Sequence, residues 1–284
     1  MNKVMEKAYT AADETAREYY NSDDADNFYF HVWGGEDIHV GLYRDDKEPV
    51  YDASRRTVAQ MAARLPKLDA TTQVLDIGAG YAGSARYLAH EYGCSVTALN
   101  ISEKENERGR EKNRQQGVDD RVEIIDGSFE DIPFDNESFD VVWSQDAILH
   151  SGDRERVLEE AVRVLRPGGH LIFTDPMQDD ECPREALEPI LARIHLETLG
   201  SPGFYRDTLR RLGLEEQDFD DHSDMIAMHY GRIHQVLSEH EDDVGQHVSR
   251  GYIDRMKHGL QHWVEGGQRG NLRWGIFHFR KPAQ

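Results

Sequence analysis

Residues 74–83 read VLDIGAGYAG, an aliphatic run that ends in glycines at 78, 80 and 83 and leads into the amphipathic stretch SARYLAHEY. A G-x-G-x-x-G turn between a strand and a helix is a strong constraint, because the missing side chains let a ligand approach the backbone. The turn opens a series. QVLDIG, SVTALNI, RVEIID, FDVVWSQ and HLIFTD are short strand-like runs, and SARYLAHEY, ENERGREKNRQQG and RERVLEEAVRVLRPGG lie between them with helical spacing. Alternating β and α units of this length predict an α/β fold, a mostly parallel sheet with helices on both faces.

The flanks differ. Residues 1–70 read as an N-terminal cap with helical spacing over 3–20 and 50–65. Between those stretches lies NFYFHVWGGEDIHVGLY, in which Gly34, Gly35 and Gly41 break any long element. Residues 71–182 form the expected cofactor-binding core, and 183–284 the remainder of the sheet with substrate-side helical insertions, all in one continuous domain. In that last part 184–199, 203–212 and 225–265 have helical character, 214–220 is a weak strand, and NLRWGIFHFRK reads as a closing strand.

Among 284 residues, 33 are Lys or Arg and 54 are Asp or Glu, a net charge of −21. That balance excludes a basic footprint for nucleic acid or anionic membranes. A carboxylate-dense, lysine-poor surface is instead what stays hydrated in high salt, where its self-repulsion is screened. Cys94 and Cys182 form no motif with His or acidic neighbours, so no metal is expected and both read as reduced thiols. The first twenty residues lack a continuous apolar segment and no run approaches membrane-spanning length, so a cytoplasmic location is expected. The acidic SEHEDD at 238–243 reads as a solvated face. Nothing in the sequence fixes the oligomeric state.

The glycine turn alone fits either a dinucleotide or S-adenosyl-L-methionine. A nicotinamide oxidoreductase should offer an acid for the ribose about twenty residues on, yet VTALNIS presents Asn100 there. Asp76, two residues before the first glycine, can meet the amino-acid end of S-adenosyl-L-methionine directly or through water. The later GSFEDIPFDNESFDVVWSQDAILH and RVLRPGGHLIFTD follow in methyltransferase order.

With FHVWGGEDIHVGLY, LNIS, GSF, WSQDAILHS, TDPM, HWVEGG and LRWG added, the chain resembles the sarcosine/dimethylglycine N-methyltransferases over nearly its whole length. These are class I S-adenosylmethionine-dependent enzymes that make glycine betaine. The resemblance implies a Rossmann-like, seven-stranded, mostly parallel sheet with an N-terminal helical cap and a C-terminal helical insertion. It implies that Gly78, Ala79 and Gly80 pass under the cofactor's amino acid and sugar. Asn100, with Ile101 beside it, would bind the ribose hydroxyls, Ser128 and Phe129 would flank adenine, and Gln145 would sit below the sulfonium. Asn100 lacks the charge-assisted bonds of the acid found in most class I enzymes. It further implies sarcosine and dimethylglycine as small-molecule partners, no metal, and a substrate corner at Pro176 and Met177.

The chemistry adds candidates of its own. Attack on a sulfonium methyl needs an amine with a free lone pair, and His150 is the first candidate for its proton, with His31 and His39 behind it. Positive charge growing on nitrogen is stabilised by aromatic faces. Phe28, Tyr29, Phe30, Trp33 and Tyr43 could supply them, Trp33 and Tyr43 being the expected pair. The substrate carboxylate calls for a cation, for which Arg193 and Arg206 are candidates. A methyltransferase for another amine such as phosphoethanolamine would need a phosphate cluster of Lys and Arg. Near the aromatic cap only Arg44 is available.

Overall fold

A computed structural model of the chain describes residues 9–192, 194 and 196–283. Its strands are β1 Gln73–Ile77, β2 Ser95–Asn100, β3 Val122–Asp126, β4 Phe139–Gln145, β5 Leu165–Thr174, β6 Met177–Gln178, β7 Glu215–Asp221, β8 Leu272–Arg273 and β9 Gly275–Arg280. The main sheet runs β3-β2-β1-β4-β5-β9-β7, while β6 and β8 pair separately. Strands β1 to β5 are parallel, and β9 lies antiparallel between β5 and β7. The order reverses between β1 and β4, which opens the crevice outside their carboxyl ends where sheets of this kind take ligands. The expected seven-stranded, mostly parallel architecture is therefore present.

Helices α1 Ala11–Asn21, α2 Asp23–Val32 and α3 Val50–Arg64 form the cap. Between the strands lie α4 Gly83–Tyr92, α5 Glu103–Gln116 and α6 Arg154–Val164, followed by α7 Arg184–Ala192 and α8 Pro202–Arg211. The expected helical stretch over 225–265 is divided into α9 Asp224–Glu239, α10 Glu241–Val244 and α11 Arg250–Gln268. Among the described residues no helix is long and apolar enough to cross a membrane.

Three local departures from the sequence reading have physical causes. The first cap helix starts at Ala11, where Thr10 and Asp13 form a reciprocal capping box; residues 3–8 of the expected stretch lie outside the described residues. The aromatic run does not simply loop. Its first half continues α2, which Ser22 caps and whose first turn carries Asp23, Asp24 and Asp26 against the positive end of the helix dipole. Gly34 and Gly35, at φ +94° and +76°, then turn the chain, as their left-handed conformation allows. Finally, Leu-Arg-Pro-Gly-Gly at 165–169 belongs to β5 and not to the helix before it.

One apolar cluster joins the cap and the C-terminal helices to the sheet through Phe28, Trp33, Trp143, Trp263 and Trp274. The opposite face packs Phe173, Phe277 and Phe279 against α6 and α8. The cap is thus continuous with the core.

Candidate active site

The backbone of the glycine turn takes conformations that favour glycine. Gly78 and Gly80 have φ of +71° and +53°, and a Cβ on Gly78 would stand 2.3 Å from the Ala147 methyl. Gly83 serves a different end: its missing side chain admits the cap segment, since a Cβ there would meet the Glu36 carbonyl at 2.3 Å. Above the turn lies a pocket of about 620 Å³, whose lining includes Gly78, Gly80, Asn100, Ile101, Ser128, Phe129 and Gln145. Seven expected cofactor residues from four strand ends are therefore brought together. Ala79 sits on the turn with its amide bonded to Leu99 O at 3.2 Å. Asp76 is buried on β1 and does not line this pocket; burial raises its carboxyl to about 7.

Two polar atoms here have no partner. Gln145 Oε1 accepts from Ser84 Oγ at 2.5 Å and Trp143 Nε1 at 2.9 Å, which leaves its buried amide nitrogen unbonded. Glu105, at the start of α5, accepts from Asn100 Nδ2 at 2.9 Å through Oε2, and its buried Oε1 is unbonded. Burial pushes Glu105 up to about 8. A buried acid thus stands on the pocket wall five residues after the end of β2. Asn100 spends its amide donors on Glu105, on Asn106 Oδ1 at 3.1 Å and on Gly80 O at 3.5 Å. The sequence reading did not single out Glu105, and Ser102-x-x-Glu105 has the form of a capping box. Ser102 does cap the Glu105 amide at 3.2 Å, but the glutamate side chain turns to Asn100.

Helix α1 closes this pocket. Asp13 accepts from Ser128 Oγ at 3.0 Å, while Arg17 and Asn21 both bond Glu103 on α5. Neither Asp13 nor Tyr20, which also line the pocket, carried a signal in the sequence.

A second cavity of about 400 Å³ adjoins the first and shares Tyr20, Ile38, Asp146 and His150 with it. Its walls are aromatic: Tyr29, Trp33, Tyr230 and Trp263 line it, with His39, His229 and Pro176. His150, on a single 3₁₀ turn after β4, has Nε2 at 2.8 Å from the Tyr20 hydroxyl. Asp175 holds that turn by accepting from Leu149 N at 3.0 Å, and Tyr205 donates to the other carboxylate oxygen at 2.6 Å. Asp146 adopts a left-handed φ of +51° at the junction of the two cavities. It accepts from Val40 N at 2.6 Å, Thr174 Oγ1 at 2.7 Å and Trp274 Nε1 at 2.8 Å, which pins the cap segment to the sheet.

Several expected substrate residues lie elsewhere. Tyr43 stands behind the cavity wall, its hydroxyl 2.9 Å from Nδ1 of His229, which does line the cavity. His31 faces outward and stacks on His247 at 4.6 Å, because the helical form of 23–32 turns it away from the crevice. Met177 opens β6, is fully buried and does not line the cavity, although its neighbour Pro176 does. Arg206 pairs with Glu216 at 3.0 Å and lies over the Phe219 ring at 4.8 Å, at the outer edge strand β7. Arg193 lies outside the described residues. Phe28 packs wholly in the core and Phe30 lies under Arg108.

His39 is in the cavity wall. Burial works against its charged form, yet the neighbouring Asp37 carboxylate raises it above its ordinary value. Asp37 in turn is held well below the carboxylate range, against the effect of burial, by Arg55 and His39. Among the described residues, no Lys or Arg lines either cavity and no group of three or more ligands could hold a metal.

Known proteins resemble this chain throughout. A methyltransferase-domain family profile matches residues 75–173. The sarcosine/dimethylglycine N-methyltransferase of Halorhodospira halochloris is 62% identical over 268 residues, covering 94% of this chain and 96% of that protein. The enzyme of the same name from Aphanothece halophytica is 51% identical, covering 98% of this chain and 100% of that protein. A crystal structure described as a sarcosine dimethylglycine methyltransferase from Galdieria sulphuraria superposes with a TM-score of 0.88 at 42% identity, covering 94% of this chain and all of that one.

Proposed function

Because the chain belongs to the sarcosine/dimethylglycine N-methyltransferase family, we propose that it methylates sarcosine to dimethylglycine and dimethylglycine to glycine betaine, with S-adenosyl-L-methionine in the glycine-turn pocket and the amino acid in the aromatic cavity. The observation that carries this reading is the shared wall: Tyr20, Ile38, Asp146 and His150 border both spaces, so two ligands can meet across it. When bound, the cofactor supplies an electrophilic methyl group on a sulfonium.

The residues present fit that cofactor. The unpartnered Glu105 Oε1 is an acceptor for ribose hydroxyls, and the unpartnered Gln145 amide is a donor for the amino-acid end. These groups belong to the proposed cofactor-binding core, 71–182; the proposed cap, 1–70, is described from residue 9 on, and the described residues of 183–284 carry the last strands and the substrate-side helices.

The chain's own work is alignment, exclusion of water and management of one proton. Aligning the reactants removes most of the entropic barrier of a displacement. Each methylation of a zwitterionic amino acid releases a proton from nitrogen. Tyr20 accepts it while passing its own hydroxyl proton to His150 Nε2, a relay that the 2.8 Å contact supports. The surrounding rings face the positive charge that remains on nitrogen.

A phosphoethanolamine substrate is disfavoured by the absence of Lys and Arg from the described lining of both cavities. Two unpaired thiols, Cys94 and Cys182, agree with a reducing, cytoplasmic setting. The deciding experiment is mass spectrometry of products after incubation with S-adenosyl-L-methionine and, separately, glycine, sarcosine, dimethylglycine and phosphoethanolamine. Betaine from dimethylglycine is expected. Methylation of phosphoethanolamine alone overturns the reading.

A further inference from the structure

Granted that reading, an anionic carboxylate enters a cavity whose described lining contains no Lys or Arg. Yet the same lining carries two ring nitrogens that are buried and without hydrogen-bond partners. Trp33, 3% exposed, leaves Nε1 unbonded, and His39, 5% exposed, leaves Nε2 unbonded. Buried polar atoms are almost always paired in native proteins, so two orphans in one small cavity mark where a ligand's acceptor belongs.

Both rings are fixed before any ligand arrives. Trp33 ends α2, wedged against Phe28, Tyr29 and His229 with centroids 5.0 to 5.5 Å away. The glycine pair then returns the chain so that His39 reaches the same cavity from the opposite side of the turn. His39 Nδ1 lies 3.1 Å from Val40 O, which commits that nitrogen as a donor and leaves Nε2 for another partner. Nε2 stands 3.6 Å from Asp37 Oδ1, within ion-pair distance but beyond hydrogen-bond length, so its N–H can still donate to a ligand.

The charges around His39 favour its doubly protonated form. Asp37 is already engaged by Arg55, Asp146 by Val40, Thr174 and Trp274, and Asp76 lies buried beyond. An imidazolium in this acidic surround keeps a donor proton on Nε2, and burial strengthens its attraction for an anion.

We infer that the amino-acid carboxylate is recognised by two ring N–H groups, Trp33 Nε1 and His39 Nε2, and not by an arginine. One substrate oxygen takes the indole N–H and the other the imidazole Nε2–H, which leaves the remaining rings to wall the nitrogen. The pair sets the preference for amino acids over uncharged amines of the same shape.

The test compares dimethylglycine with N,N-dimethylethanolamine, which keeps the nitrogen and lacks the carboxylate. The readout is the ratio of kcat/KM for the two, in wild type, Trp33→Phe, His39→Asn and Arg193→Ala, with S-adenosylhomocysteine affinity and melting temperature as controls for folding. Trp33→Phe keeps a ring and removes only the N–H. Its expected effect is a rise of about tenfold or more in KM for dimethylglycine, exceeding any fall in kcat, with dimethylethanolamine little affected. The ratio therefore collapses in Trp33→Phe and in His39→Asn. If it is unchanged in both folded variants, or collapses only in Arg193→Ala, the inference is wrong. A wild type that methylates neither sarcosine nor dimethylglycine overturns the proposed function instead, and the inference with it.

Discussion

The Tyr20 hydroxyl lies 2.8 Å from His150 Nε2, and the two rings meet edge to face at 5.3 Å. Residues 130 positions apart thus form one hydrogen-bonded pair on the wall between the two cavities. Helix α1 brings the tyrosine, and the turn after β4 brings the histidine. Removing the imidazole in His150→Ala should lower kcat on dimethylglycine by about 10²–10⁴-fold, the usual range for lost general-base catalysis. Tyr20→Phe should lose less and shift the pH profile of kcat. S-adenosylhomocysteine affinity, read by calorimetry, should stay within a few-fold in both.

Glu105 predicts a pH dependence with a definite sign. Its carboxyl is raised from 4.5 to about 8 by burial, so the folded protein retains a proton that the unfolded chain has lost. The stability this contributes is complete below about pH 4.5 and is lost as pH rises through about 8. Asp76 and Asp175, each raised to about 7 by burial, act in the same sense. Without cofactor, Glu105→Gln should lose less melting temperature between pH 5 and pH 9 than wild type. Its cofactor affinity should fall about tenfold, because the amide replaces one oxygen acceptor with an NH2 group that cannot accept from a ribose hydroxyl. Parallel melting curves at both pH values would remove Glu105 from this account.

Arg206→Ala should leave the Michaelis constant for dimethylglycine within about twofold of wild type, since its guanidinium pairs with Glu216 at the sheet edge. The pair is about a third exposed on each side, so its loss should cost no more than about 1 kcal/mol. Steady-state kinetics and a urea titration check both halves.

Gly78→Ala should fail to bind the cofactor. The new methyl would meet Ala147 at 2.3 Å from a backbone already at φ +71°. Overpacking of this kind costs about 1–3 kcal/mol before any ligand is considered. A thermal-shift assay with S-adenosylmethionine should show a lower melting temperature and no rise on adding ligand. Gly213→Ala is a useful control: it is also left-handed, at φ +87°, but opens onto free space. It should destabilise through backbone strain while keeping the ligand-induced rise.

Local sequence carried a large part of this protein. The period-two runs, the helical spacings between them and the glycines at 78 and 80 specify a parallel sheet with a ligand turn after its first strand, because backbone sterics and apolar periodicity act over a few residues. Asn100, Ile101, Ser128, Phe129 and Gln145 were named through the family resemblance, and they line one pocket because each stands at or just after the end of a strand.

Side-chain roles that depend on where a helix points were decided by the tertiary fold alone. A helix over 23–32 rotates successive residues by about 100°, which directs Tyr29 into the cavity and His31 out to His247. Tyr43 and Met177 were one layer too deep, and Arg206 was drawn to Glu216 across to the edge strand. Glu105 stands where a capping-box glutamate would, yet its side chain turns to Asn100 on the pocket wall. Most instructive is the pairing of Tyr20 with His150, which no pattern in either segment announces. Strand ends are positioned by hydrogen-bond ladders that the sequence spells locally, whereas a cavity wall is set by which distant surfaces bury each other, and only the packed chain determines that.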